Sequence, residues 1–288
     1  MERRSRSYLQ LIKPGITLSN TLTGIAGFFL ATSLVGFKLT TLIGVIIGIA
    51  SIIASACVVN NVLDRKIDRR MKRTAKRIVA SGVISVHRAL VFAVILGLIG
   101  FVSIILLTNL LTFLLGMIAY VWYVAIYGFA KRTTALSTVI GGVAGALPPV
   151  AGYTALTGHI DVAAITLFLV LFFWQMPHFY AIAMFRRSDY ESAKLPVWSV
   201  KYGMASTKRQ ILIFTMLYAI SATLLTFYGY TGVIYFVVSA ALSAYWLSRG
   251  VMFYRLLDDE KWARKMFGAS LLVLLSMCIL ISVGGYLP

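Results

Sequence analysis

The sequence predicts an all-α, polytopic membrane protein: nine transmembrane helices in a single domain over 1–288, with the N-terminus cytoplasmic. Three observations carry that expectation. The 288 residues are 60% hydrophobic with a mean hydropathy of +0.89, more apolar surface than a soluble domain can hide. Apolar runs near the ~20 residues that span hydrocarbon recur along the chain, at about 16–34, 39–60, 88–107, 109–129, 136–156, 161–184, 210–229, 231–248 and 267–286. Lys and Arg then fall almost wholly into alternate connections. With the N-terminus inside, the inner segments hold 4 (Arg3, Arg4, Arg6, Lys13), 9 (65–88), 2 (Lys131, Arg132), 6 (186–209) and 5 (249–265) basic residues. That is 26 of the 27, with Lys38 alone outside, the separation the positive-inside rule requires.

The net charge of +18 would suit nucleic acid, but its placement marks a membrane face instead, and no nucleic-acid partner is expected. Cys57 and Cys278 each sit in an apolar segment, so no disulfide or metal framework is indicated. No cleavable signal peptide is expected, because the basic start leads into Pro14-Gly15 and a full-length span.

The first span opens Lys13-Pro14-Gly15 and carries Asn20, which either joins helices by hydrogen bonding or meets a substrate. The second ends in the stretch that organises the chain: Asn60-Asn61-Val62-Leu63-Asp64-Arg65-Lys66-Ile67-Asp68-Arg69-Arg70, followed by Lys72, Arg73, Lys76 and Arg77. On a helix at ~100° per residue, Asn60, Asp64, Asp68 and Asn61 fall at roughly 0°, 40°, 80° and 100° and share a face. Asp64 and Asp68, four residues apart, repel at about 5–6 Å unless a cation lies between them. Hard oxygens of this kind suit Mg²⁺, and the surrounding bases can grip a polyanion. The bland alternative is a solvated helix end with a basic topology signal. Only nine acids exist in the chain, and two of them stacked beside paired asparagines favour a metal–diphosphate site at a membrane surface.

The third span rests on its apolar length. The fourth ends with Tyr120, Tyr123 and Tyr127, at i, i+3 and i+7 on one helical face, with Lys131 and Arg132 a turn further on. They form either an interfacial aromatic belt or a wall of rings where a cation develops, with the two bases receiving a departing phosphate. The fifth holds Gly141, Gly142, Gly145 and Pro148-Pro149, which allow close approach and break the helix. The sixth carries Trp174-Gln175-Met176-Pro177-His178. Polar groups at that depth are costly without partners or work, and an imidazole facing a cavity can ligate haem iron. The following loop repeats the acid-and-base chemistry more weakly, with Asp189 and Glu191 among Arg186, Arg187 and Lys194. The seventh and eighth apolar runs follow, and 258–265 reads as an amphipathic interfacial segment before the ninth. The long inner connections, 61–87 and 185–209, point to a cytoplasmic active face.

With these residues in place, the chain resembles the UbiA superfamily of intramembrane prenyltransferases. Asn60-Asn61-x-x-Asp64-x-x-x-Asp68 matches its first aspartate motif. Within the superfamily the resemblance is closest to the haem-prenylating branch. It rests on Lys13-Pro14-Gly15, Asn60 to Arg77, Ala146-Leu147-Pro148-Pro149-Val150, Trp174 to His178, Arg186-x-x-Asp189-Tyr190 to Pro196-Val197, and Trp262-Ala263-Arg264-Lys265. Quinone-making members usually show paired acids after the sixth span, where this chain has Asp189-Tyr190-Glu191.

The resemblance implies a bundle around a central cavity in a prokaryotic plasma (inner) membrane. Farnesyl would pass from farnesyl diphosphate to a vinyl group of haem B with hydration, giving haem O and diphosphate. Asn60, Asp64, Asp68 and Asp189 would place Mg²⁺, with Asn61 in support. Arg69, Arg73, Arg77, Lys131, Arg186 and Lys194 would hold diphosphate, Tyr120, Tyr123 and Tyr127 would shield the farnesyl cation, and His178, Trp174 and Gln175 would hold haem. A terminal oxidase or a further haem-modifying enzyme would receive the product. The rival expectations are a quinone-precursor prenyltransferase and a non-catalytic haem-binding or transport protein.

Overall fold

The computed structural model describes residues 8–288; Arg3, Arg4 and Arg6 of the charge count lie outside them. Nine helices among the described residues are long and apolar enough to cross a membrane: α1 (Pro14–Val35), α2 (Leu39–Leu63), α3 (Val86–Leu107), α4 (Leu110–Thr133), α5 (Ser137–Thr157), α6 (Val162–Phe185), α7 (Trp198–Phe227), α8 (Val233–Met252) and α9 (Asp259–Gly284). Each packs on the next in sequence, and α9 returns to α1, so the bundle closes into a ring. The apolar residues facing outward, such as Leu98, Leu106, Phe227 and Ile279, belong where lipid is the solvent.

Across the ring, α1 and α5 touch backbone to backbone. A Cβ on Gly27 would run into the backbone of Pro149, and one on Gly152 into that of Gly24. Small residues permit this approach where lipid supplies no hydrophobic drive between helices. Gly152→Val should force the pair apart at about 1–3 kcal/mol or more, read as a lower melting temperature in detergent.

Helix boundaries depart from the sequence reading in three informative places. Helix α7 begins at Trp198 rather than near 210, because the polar stretch before Gln210 is helical too, turning at Gly203 (φ 79°). Helix α9 begins at Asp259 rather than 267, so the expected interfacial segment is its first turns. Asp258 caps it by accepting from the Lys261 backbone N–H, Asp259 and Glu260 follow in the first turn, and Trp262 is wholly buried, a start signal written in the sequence. Helix α5 is broken between Gly145 and Leu147, where Pro148 and Pro149 lack N–H groups and crowd the carbonyls one turn back.

Helix α4 contains a π segment, Trp122–Tyr127, continuing as α-helix over Gly128–Thr133. Its wider turn replaces the α-helical spacing expected for the three tyrosines, although all three still border one cavity. Tyr123 and Tyr127 stack at 5.4 Å, whereas Tyr120 turns to Ser55 Oγ (3.2 Å) and the edge of Phe101.

Candidate active site

The ring encloses a cavity of about 600 Å³ bordered by α1, α2, α4, α5, α6 and α9. Its charged end is built where α2 stops. The helix closes at Leu63, Asp64 continues the trace, and a single turn, Arg65–Asp68, follows. Because the backbone keeps its i to i+4 bonds through Asp64, Asn60, Asp64 and Asp68 all face the cavity. Asn61 does not. Its Nδ2 donates to Leu11 O (2.9 Å), so it braces the segment before α1.

Both acids are buried, and each is matched by a cation. Lys131 Nζ donates to Asp64 Oδ2 (2.5 Å), and Arg132 Nη2 to Asp64 Oδ1 (3.3 Å). Arg77 Nη1 donates to both oxygens of Asp68 (2.8 and 3.0 Å). The two carboxylates thus avoid mutual repulsion through separate partners, rather than through one shared cation. Lys13 Nζ donates to Asn60 Oδ1 (3.2 Å); its backbone is left-handed (φ 50°, ψ 69°), a strained setting for a residue with a side chain. Burial holds the Lys13 ammonium pKa below the ordinary lysine value.

The second acidic stretch reaches the first through Arg73, whose Nε lies 3.8 Å from Asp189 Oδ2. Arg73, Arg77, Arg186 and Tyr190 border the cavity. Arg69 instead donates to Ala80 O (2.7 Å) and holds the loop after the acids. Lys194, at φ 56°, lies off the cavity wall, as does Asp189. Glu191 pairs with Arg187 (2.7 Å) on the short helix Arg187–Ser192.

No group of three His, Cys, Asp or Glu side chains stands ready for a metal among the described residues. The donor set at the cavity end is two carboxylates and a carboxamide, all hard oxygens and all engaged by cations. That composition fits Mg²⁺, which takes one or two carboxylates and completes its shell with water and substrate phosphate.

Beyond the charges, the wall becomes aromatic. Tyr120, Tyr123 and Tyr127 all border the cavity, and Lys131 Nζ lies 5.3 Å from the Tyr127 ring centroid. Farther along, Trp174, Gln175 and His178 face in from α6. His178 is held between Trp174 (4.8 Å, 25°) and Phe267 (4.8 Å, 34°). Its Nδ1 meets Ser270 Oγ at 2.7 Å, and that hydroxyl donates its hydrogen to Phe267 O (2.6 Å). The hydroxyl has one hydrogen to share; with it on Phe267 O, Ser270 Oγ accepts from Nδ1–H and Nε2 is the ring nitrogen left unprotonated. Trp174 Nε1 donates to Ser270 O (2.9 Å), tying the same two helices.

Sequence reasoning missed Lys13, Tyr190 and Phe267 on the cavity wall and Ser270 behind His178. A lysine abutting Pro14 at the mouth of an apolar span was a usable signal for the first. Nothing local marks Ser270, which meets His178 across 92 positions.

A ring of membrane helices with one cavity, charged at one end and aromatic beyond, defines an intramembrane enzyme for a substrate that is both polyanionic and lipid-like. The comparisons agree. The UbiA prenyltransferase family model matches residues 20–274, and the chain belongs to that family. It is 39% identical over 284 residues to protoheme IX farnesyltransferase 2 of Pseudomonas fluorescens, covering 98% of this chain and 96% of that protein. It is 41% identical over 287 residues, with the same coverage, to the protoheme IX farnesyltransferase of Salmonella arizonae. Among solved structures, digeranylgeranylglyceryl phosphate synthase superposes with a TM-score of 0.80 at 18% identity, covering 99% of both chains. A UbiA homolog from Archaeoglobus fulgidus bound to GPP and Mg²⁺ gives 0.72 at 18% identity, covering 96% of this chain and 100% of that one. These two likenesses establish the fold.

Proposed function

We propose that this protein transfers the farnesyl group of farnesyl diphosphate to a vinyl group of haem B, with hydration, giving haem O and diphosphate. One observation carries the reading: a single cavity joins the carboxylate–cation cluster to the imidazole of His178. It stands in a chain about 40% identical, nearly end to end, to proteins named for that reaction.

Asn60, Asp64 and Asp68 would hold Mg²⁺, with Asp189 reached through Arg73. The ion neutralises charge on the diphosphate and eases loss of the leaving group. The chain's own cations, Lys13, Arg73, Arg77, Arg186 and Lys131, bind the phosphate oxygens and stabilise the charge that accumulates as the allylic C–O bond lengthens. Asn61 and Arg69 act only through the segments they brace, and Lys194, off the cavity wall, is given no part in the site. Tyr123 and Tyr127 present ring faces to the allylic cation, with Tyr120 beside them, and the apolar wall keeps bulk water from the cation. His178 orients the haem through its iron, stacked between Trp174 and Phe267. No nucleophilic side chain is required. The charged end faces the cytoplasm of a prokaryotic plasma membrane, following the distribution of Lys and Arg, and the product passes to a terminal oxidase or a further haem-modifying enzyme.

The test is a product assay: purified protein in detergent with Mg²⁺, farnesyl diphosphate and haem B, haems read by mass spectrometry. A gain of farnesyl plus water is expected, and unchanged haem from folded protein overturns the reading. For His178→Ala, haem affinity followed by Soret titration should drop about 10–100-fold, the scale on which ligand-shell changes act. Prenyl diphosphate binding should be kept; equal loss of both would make His178 a packing residue.

A further inference from the structure

The carboxamide of Gln175 has its orientation fixed by its neighbours. Nε2 donates to Gly142 O (3.2 Å) and Leu171 O (3.0 Å). Two carbonyls can only accept, so both N–H groups are committed and the amide cannot be flipped. Oε1 lies over Gly145, where a Cβ would collide with it, and it accepts no hydrogen bond from any described residue. The residue is only 6% exposed overall and borders the cavity. A carbonyl oxygen open to that cavity without a protein donor can accept from a water or a ligand hydrogen.

Its location is informative. Gly141 and Gly145 stand one turn apart on α5, about 6 Å along the axis. The Tyr127 ring rests on Gly141, as Gln175 does on Gly145. Oε1 therefore lies about one helical turn from the ring placed beside the allylic cation. His178, three residues on, shares that side of α6.

We propose that Gln175 holds the water that completes the reaction, Oε1 accepting one of its hydrogens so that its oxygen faces the carbocation formed on haem. This rests on the haem-farnesylating reading. The terminal vinyl carbon gives its π pair to C1 of the farnesyl chain, and the C1–O pair leaves with diphosphate. Positive charge then sits on the vinyl carbon next to the macrocycle. The water oxygen bonds to that carbon, and its surplus proton passes to the diphosphate released in the same cavity. Gln175 stays neutral throughout: it orients the water and is not the base. Where no water is held, the same cation loses a proton from the adjacent new CH₂ and ends as an alkene lighter by one water.

The ratio of haem O to that alkene, read by mass spectrometry on purified protein with Mg²⁺, farnesyl diphosphate and haem B, tests the proposal independently of overall rate. Gln175→Met, close in volume and lacking the acceptor, should shift the ratio toward alkene about tenfold or more, the effect of one lost hydrogen bond in a transition state. Gln175→Leu should do the same and guards against a folding artefact peculiar to either variant. A native ratio in both, at whatever rate, overturns the proposal and leaves Gln175 as a tie between α5 and α6. Unmodified haem from the native protein is a different result: it removes the underlying reaction, and the proposal with it.

Discussion

Asp64→Asn should abolish most turnover, by about 10²–10³-fold, the scale on which single electrostatic contacts at a reacting centre act. The substitution keeps the shape of a side chain that meets Lys131 and Arg132 and borders the cavity, but removes the charge that would hold Mg²⁺. The variant should still insert and fold, at a lowered melting temperature, because Lys131 keeps a neutral Oδ1 in place of its carboxylate. Steady-state rates across a Mg²⁺ titration, with melting temperature as the control, are the measurement. A variant within a few-fold of the native rate would remove the carboxylate from the chemistry.

Lys131→Met should be damaging in a second way. Lys131 and Asp64 form a pair whose side chains are 11% and 12% exposed, and breaking such a pair costs about 3–5 kcal/mol because a charge is left uncompensated. Arg132, 3.3 Å from the other oxygen, keeps the loss toward the lower end. Turnover should also fall about 10²-fold or more, since the leaving phosphate loses a cation. Lys131→Met combined with Asp64→Asn should regain stability without regaining activity. If the double variant is no more stable than the single, the two groups are not coupled.

Much of this was legible in the chain. Apolar length and basic asymmetry gave nine spans, because lipid demands both of any helical membrane protein. The face of Asn60, Asp64 and Asp68 could be read from periodicity, since the helical trace runs on past Leu63. Asn61 failed the same test: at 100° from Asn60 it falls over the edge of that face, toward Leu11. Hydropathy hid the starts of α7 and α9, whose first turns are polar, although Asp258 with its acidic neighbours had marked one of them. The π segment could not be read, because its hydrogen-bond shift depends on how α4 meets α2 and α5. Ser270 had no signal, since its role exists only once α6 and α9 lie side by side.

The charged end has a consequence for how the chain threads its bilayer. Its groups come from the entrance to α1 (Lys13), the exit of α2 (Asp64, Asp68), the exit of α4 (Lys131, Arg132) and the exit of α6 (Arg186). An even number of crossings separates each of these from the others, so they finish on the same side of the bilayer only if an even number of the intervening crossings is made. Skip one crossing, and acid and base finish on opposite sides of the bilayer, where no rearrangement can unite them. The Asp64–Lys131 contact thus acts as a parity check on the two crossings between them, α3 and α4: a chain that misses one of the two is left with both charges unpaired.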